Sequence, residues 1–295
     1  MKIKKIGMTA NVQKSSSARY TRSLRDWLQA RGIQVLLEEE IAREIGAAGG
    51  LEIKELAANV DLIVVFGGDG TILRLAHSLC GIDVPIAGIN IGRLGYLAVI
   101  NLREMYNVLA AILAGNLQIE ERMMLDVSIL ISGREEKHTV LNDVVISRGR
   151  FQRMVGVDTF IDDQYLATLE GDGIIVATPT GSTAYSLSAG GPVVYPQMSS
   201  LVITPLCPHT LTNRPLIAPA HVVVTMKVAA QAPGAVVALD GMISCDLSLG
   251  DMITVKQSPH VTRMISSPLR GYWEILRTKL GWGRLTERTT PAEPC

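Results

Sequence analysis

The chain has 295 residues, enough for one large domain or two ordinary ones with an ample core. Its 28 Lys and Arg balance its 28 Asp and Glu, so no overall field draws it to nucleic acid or an acidic membrane, and any anionic ligand must be bound by local devices. The basic start lacks the apolar run of a secretory signal, and no stretch is apolar enough to span a bilayer. Cys80, Cys207, Cys245 and Cys295 lack paired spacing, so the expectation is a cytoplasmic protein without a zinc or disulfide framework.

The first hundred or so residues alternate strand and helix. Residues 4–8 are a short strand candidate, and 33–37, 62–66 and 84–89 are short, nearly all-apolar runs, as strands buried on both faces should be. Between the first two, Ala18, Tyr20, Leu24, Trp27 and Leu28 recur at helical spacing until Gly32. A further helix is expected at about 102–114. This half reads as a parallel α/β sheet, whose ligands bind beyond the carboxyl ends of its strands.

The strand at 62–66 runs into Gly67, Gly68, Asp69, Gly70 and Thr71, the most informative turn in the chain. Glycines there can take unusual backbone angles and let a ligand approach the main chain. Thr71 is expected to cap a helix from Ile72 to about Leu79, whose N-terminal N–H groups attract phosphate. Asp69 either satisfies the turn's own N–H groups or meets a metal or reacting hydroxyl beside the phosphates. A loop on the same sheet edge follows at 90–96, with two glycines, Arg93 and Tyr96.

Past that point the pattern becomes mainly β. Strand-like runs are expected at 124–131, 139–147, 157–161, 165–169, 173–178, 221–228, 235–239 and 252–256, with Asp162 and Asp163 in a hairpin. Asn142 and Asp143 put an amide and a carboxylate in an apolar strand, suited to a nucleobase edge or ribose, or else to a turn. Gly171, Asp172 and Gly173 precede a run at 178–192 rich in hydroxyls and glycine. It contains Thr180, Thr183, Ala184, Tyr185, Ser186, Leu187 and Ser188, and reads as a neutral cradle for phosphate or ribose, with Tyr185 as a stacking face. One helix candidate follows Gly181. Prolines at 205 and 208 point to an irregular segment over 203–209; His209 alone is more often structural, and Asp240 with Gly241 reads first as a hairpin turn. The tail regains helical period, with Tyr272, Trp273, Leu276 and Leu280 on one face, and is expected to pack back on the first half.

Together these blocks resemble the bacterial ATP-dependent NAD kinases, in that family's order, over nearly the whole chain from about Asp61. The glycine turn is shared with diacylglycerol and sphingosine kinases; the 178–192 run singles out NAD kinases. The resemblance implies an α/β domain with a parallel sheet, formed by 1–118 and 268–295, and a mainly β, sandwich-like domain over 119–267. It implies phosphorylation of the adenosine-side 2′-hydroxyl of NAD to NADP, with Mg²⁺ entering on ATP. Asp69 would be the proton acceptor, with Gly67, Gly68, Gly70, Thr71, Arg74, Tyr96, Asn142, Asp143, Arg153, Asp172, Thr180, residues 183–188, His209 and Asp240 as nucleotide contacts. It further implies a homodimer or homotetramer; the choice between ATP and polyphosphate as donor is not read from the sequence. The chain departs from the family pattern at Glu170, Met242 and Tyr96. The competing readings are a lipid kinase of the same superfold and a non-catalytic NAD sensor.

Overall fold

The computed structural model describes residues 3–14, 16–92, 94–149, 154–210, 212–229 and 234–282. In chain order the first half comprises β1 (Lys5–Ala10), α1 (Ser17–Gln29), β2 (Gln34–Leu37), α2 (Glu39–Glu44), α3 (Ile53–Ala58), β3 (Leu62–Gly67), α4 (Asp69–Ser78), β4 (Ile86–Asn90), β5 (Ile100–Asn101) and α5 (Met105–Leu113). Then come β6 (Ile119–Ile131), β7 (Arg134–Val140), β8 (Asp143–Ser147), β9 (Val155–Ile161), β10 (Gln164–Gly171), β11 (Gly173–Ala177) and the short α6 (Tyr185–Ser188). The chain continues through β12 (Ser200–Leu206), β13 (Leu216–Pro219), β14 (Val224–Val228), β15 (Ala235–Leu239), β16 (Ile243–Leu247), β17 (Met252–Ile265) and α7 (Tyr272–Leu280).

Strands β2, β1, β3 and β4 lie side by side and parallel, with β5 beyond β4. Alternation along β3 explains why both faces need helices. Leu62, Val64 and Phe66 point into one cluster with Leu24 and Leu28 of α1 and Val108 and Leu109 of α5. Ile63 and Val65 point into the other, with Leu56 of α3 and Ile72 and Leu75 of α4.

β17 joins the two halves into one sheet. Its first residues pair with β14 and its whole length with β6, while Met264 pairs in parallel with Ile86 of β4. A second, six-stranded antiparallel sheet in the order β13, β12, β11, β8, β15, β16 covers the β half of this first sheet. Val144, Ile174, Ile203 and Val237 of one sheet meet Val127, Val157, Val224 and Ile253 of the other in a common core. The α/β half and the sandwich-like β half are thus both present.

Four expectations need correction. The single strand read over 139–147 is two: the chain leaves the first sheet after β7 and enters the second at β8, so Leu141 and Asn142 form the crossing. The segment over 203–209 is not irregular throughout, because β12 runs through Pro205. That residue lies beyond the last one paired to β13, where the strand is an edge and an absent N–H costs little. β17 continues nine residues past its expected end, through a register shift between Gln257 and Val261 that hides the period. Finally, α7 buries Ile275 together with Leu276 of the expected stripe, with Tyr272 and Leu280 half-buried. Trp273 stays mostly exposed, its ring beside Tyr195, while Ile275 joins the α1 and α5 cluster.

If that seat holds α7, Ile275→Ala should lower unfolding free energy by about 2–5 kcal/mol, the usual range for a truncated buried aliphatic side chain. Urea denaturation followed by circular dichroism measures it, and a loss under about 0.5 kcal/mol would mean the helix is not seated.

Candidate active site

The glycine turn behaves differently from its reading. None of Gly67, Gly68 and Gly70 has positive φ, so backbone freedom does not explain them; Gly67 is there for clearance, while a Cβ on Gly68 or Gly70 would meet open space. A Cβ on Gly67 would stand 2.4 Å from Thr71 Oγ1. The helix also starts early: α4 begins at Asp69, with Gly68 as its N-cap residue in extended conformation, and Thr71 lies inside the first turn rather than at the cap.

Asp69 does satisfy N–H groups, but not those of its own turn. Its Oδ2 accepts from Tyr96 N at 2.9 Å, and its Oδ1 from Leu97 N and Ala98 N at 3.0 Å each. Gly95 makes room for this grip, since a Cβ there would lie within 1.9 Å of Asp69 Oδ1. The loop after β4 is therefore folded around the carboxylate. Arg93, in the same loop, lies outside the described residues.

On the other side of α4, Thr71 and Arg74 border a cleft of about 400 Å³ with Asn11, Gln13 and Glu38, at the carboxyl ends of β1 and β2. Arg74 is exposed there. Asn11 N donates to Phe66 O, which holds the end of β1 against the glycine turn. No motif in the sequence signalled Asn11 or Glu38, because their role comes only from parallel strands ending together.

The second group gathers around Asp240. Its carboxylate is fully buried and accepts from Leu141 N at 2.8 Å, Asn142 N at 2.7 Å and Asp143 N at 2.9 Å. Its Oδ2 also lies 2.9 Å from His77 Nε2, on α4. Asp240 and Gly241 both have positive φ and turn β15 into β16, so the hairpin reading holds; the carboxylate itself faces protein groups. His77 escaped sequence reasoning altogether.

The hydroxyl run folds onto the same crossing. Thr178 N donates to Asn142 O at 2.8 Å and Thr178 Oγ1 to Leu141 O at 2.6 Å. Ser182 is spent on Pro179 and Val194, and Ser186 on Thr204, so these hydroxyls are scaffold. Thr180 Oγ1 is buried and has no partner among the described residues. Thr183 and Ala184 are half-buried, and Leu187 with them; Ser188 and Tyr185 are exposed, Tyr185 by 49%.

Asp143, beside Asp240, is nearly fully buried, and burial followed by the Asp240 charge pushes its carboxyl up to about 7. Asp172 and His209 are not part of this group. β8 and β11 run antiparallel, with Asp143 opposite Ala177 and Ser147 opposite Gly173, so Asp172 sits at the far end of β11. There it pairs with Arg148 at 3.0 Å, and His209 N donates to Glu170 O nearby. Arg153 lies outside the described residues.

A parallel α/β half with a carboxylate at a glycine turn, facing a β sandwich across one helix, defines a two-domain phosphotransferase architecture. Comparison with known proteins agrees. The ATP-NAD kinase N-terminal domain model matches residues 6–117 and the ATP-NAD kinase C-terminal domain model residues 141–267. The NAD kinase of Syntrophotalea carbinolica is 41% identical over 283 residues, covering 95% of this chain and 99% of the relative. That of Geobacter sulfurreducens is 42% identical over 282 residues with the same coverage. Among solved structures, yeast NADH kinase complexed with NADH superposes with a TM-score of 0.89 at 25% identity, covering 98% of this chain and 91% of that one. The NAD kinase of Archaeoglobus fulgidus in complex with ATP gives 0.72 at 25% identity, covering 94% and 97%. The chain belongs to the NAD kinase family, and its enzyme class is ATP-dependent phosphorylation of NAD.

The Asp143 carboxyl gives this site a signature in stability. Folding lifts its pKa from the ordinary carboxylate range to about 7, so its contribution is full below roughly pH 4 and is lost as pH rises towards 7. Asp143→Asn should therefore show a thermal midpoint that falls less than wild type between pH 5 and 8. Parallel pH profiles of the two proteins would contradict the shift.

Proposed function

We propose that Asp69 Oδ2 takes the proton of the adenosine-side 2′-hydroxyl of NAD as that oxygen attacks the γ-phosphorus of ATP. The O2′–P bond forms, the P–O bond to the β-phosphate breaks, ADP leaves, and NADP is the product. The observation that carries this reading is the grip on Asp69. Of roughly four acceptor positions on a carboxylate, Oδ1 spends two on Leu97 and Ala98, whereas Oδ2 spends one on Tyr96. Oδ2 keeps a lone pair for a hydroxyl, and the backbone N–H groups fix where it points. Positioning and charge neutralisation are what phosphoryl transfer chiefly asks of a protein.

In this reading Thr71 and Arg74, which line the 400 Å³ cleft, receive the triphosphate together with the main chain of Gly67, Gly68 and Gly70 at the adjoining turn, the ligand class that the Archaeoglobus relative holds. Asn142, Asp143, Thr180, Thr183, Ala184, Tyr185, Leu187 and Ser188 receive the dinucleotide, the class held by the yeast enzyme. Open space at the Cβ positions of Gly68 and Gly70 supports close approach of phosphate to the main chain. Mg²⁺ would arrive on the triphosphate and neutralise its charge. Such an ion is held mostly by phosphate oxygens with few protein ligands, and Asp69, the first residue of α4, is the carboxylate at the turn.

Asp172 and His209 stand at the far end of β11 from Asn142 and Asp143, and in this reading they meet dinucleotide in a homo-oligomer, where a second copy brings that sheet end alongside. Asp240 acts here through Asn142 and Asp143 rather than on the ligand. No helix of the described residues is long and apolar enough to cross a membrane, and we place the enzyme in the cytoplasm. The lipid-kinase and sensor readings are not favoured.

Asp69→Asn should bind NAD normally by calorimetry and turn over at least about a hundredfold slower with Mg-ATP, the lower magnitude for losing a general base. A variant of undiminished rate would remove Asp69 from the chemistry. Running the same assay with NADH and with polyphosphate defines the acceptor and donor range.

A further inference from the structure

Behind the loop that grips Asp69 lies a cavity of about 290 Å³, separate from the triphosphate cleft. Tyr96 and Leu97 form one wall; Glu120 and Arg122 of β6, Ser266 after β17, and Tyr272 of α7 form the others. It is far larger than the roughly 10–15 Å³ one water needs.

Its lining is unusual in one respect. Among the described residues seven buried side-chain polar atoms have no hydrogen-bond partner, and three of them, Arg122 Nε, Ser266 Oγ and Tyr272 OH, border this cavity. Arg122 is only 7% exposed, and among the described residues the one acceptor on its guanidinium is Glu120 Oε2, at 2.5 Å from NH2. Buried polar groups are ordinarily satisfied, so three failures around one space point to what should fill it. All three can donate a proton. Two guanidinium groups, Arg122 and Arg270, line the cavity against one carboxylate, Glu120, and Arg270 is tied at its edge to Glu104 and Glu274.

We propose that this cavity binds a small oxyanion, a carboxylate or phosphate group whose oxygens accept from Arg122 Nε, Ser266 Oγ and Tyr272 OH. A planar or tetrahedral oxyanion offers several acceptors within one small volume, and the guanidinium supplies the charge-assisted bond. Tyr96 and Leu97, two of the three residues whose N–H groups hold Asp69, form its opposite wall. An occupant would therefore rest against the catalytic loop from behind, and Lys279 already lies 5.0 Å over the Tyr96 ring.

Calorimetric titration of the full chain with sodium phosphate, and separately with sodium acetate, tests the site in a buffer free of other oxyanions. Saturable binding of at least one anion is expected, weakened at least about tenfold in Arg122→Met, the minimum for losing a hydrogen bond from a charged group. Tyr272→Phe removes a single oxygen and should weaken it about threefold or more. Phosphate without acetate identifies a phosphate site, and acetate binding a carboxylate site. Absence of binding up to about 10 mM, beyond the millimolar range of weak ligands, would overturn the proposal and leave the cavity to water. So would binding unchanged in both variants, because phosphate would then sit in the triphosphate cleft. Should Arg122→Met fail to fold, Tyr272→Phe decides alone.

Discussion

Helix α4 is held at both ends by a carboxylate that gathers three consecutive backbone N–H groups. At its first residue Asp69 collects those of residues 96–98; near its last turn His77 meets Asp240, which collects those of 141–143. The two grips differ in direction. The first folds a loop of the α/β half around a side chain of the helix, and the second fastens the helix to a crossing in the β half. His77 lies eight residues beyond Asp69, about 12 Å along the axis. One short rigid rod thus fixes the separation between Asp69, the proposed base, and the Asn142 and Asp143 pair.

The rest of the fold serves that rod. Parallel strands β1, β3 and β4 end together on the side where α4 begins, because alternating side chains on both faces demand covering helices and hence crossovers of one hand. β17 carries the α/β sheet into the β sandwich without a flexible linker, so the two halves share hydrogen-bonded backbone as well as the contact at His77. Energy enters at a few small positions. A side chain at Gly95 would overlap the Asp69 carboxylate, and one at Gly67 would overlap Thr71. Those two glycines are therefore steric requirements of the site.

Much of this was legible in the residues. Short, nearly all-apolar runs with helices between them marked the parallel sheet, and Asp162 with Asp163, both at positive φ in the structure, marked a hairpin. The glycine turn and the hydroxyl run marked where nucleotide chemistry should lie. What stayed hidden has a common cause. The donors to Asp69 and Asp240 are main-chain N–H groups, which every residue has and no motif encodes. His77 looked like an ordinary helical residue because its partner is 163 positions away. The hydroxyl run was over-read in part: Thr178, Ser182 and Ser186 build the loop's own hydrogen bonds. The split of β7 from β8 was concealed by apolar continuity across Leu141, which is buried although it belongs to neither strand.

If α4 sets the catalytic distance, loosening its lower grip should slow chemistry without weakening triphosphate binding at its upper end. Single-turnover phosphoryl transfer by rapid quench, with ATP affinity measured alongside, compares His77→Ala with His77→Gln, whose side-chain amide can still donate to Asp240. The account predicts transfer slowed about 10- to 100-fold in the alanine variant, ATP affinity unchanged, and most of the rate restored by glutamine. Transfer at the wild-type rate in His77→Ala would contradict it.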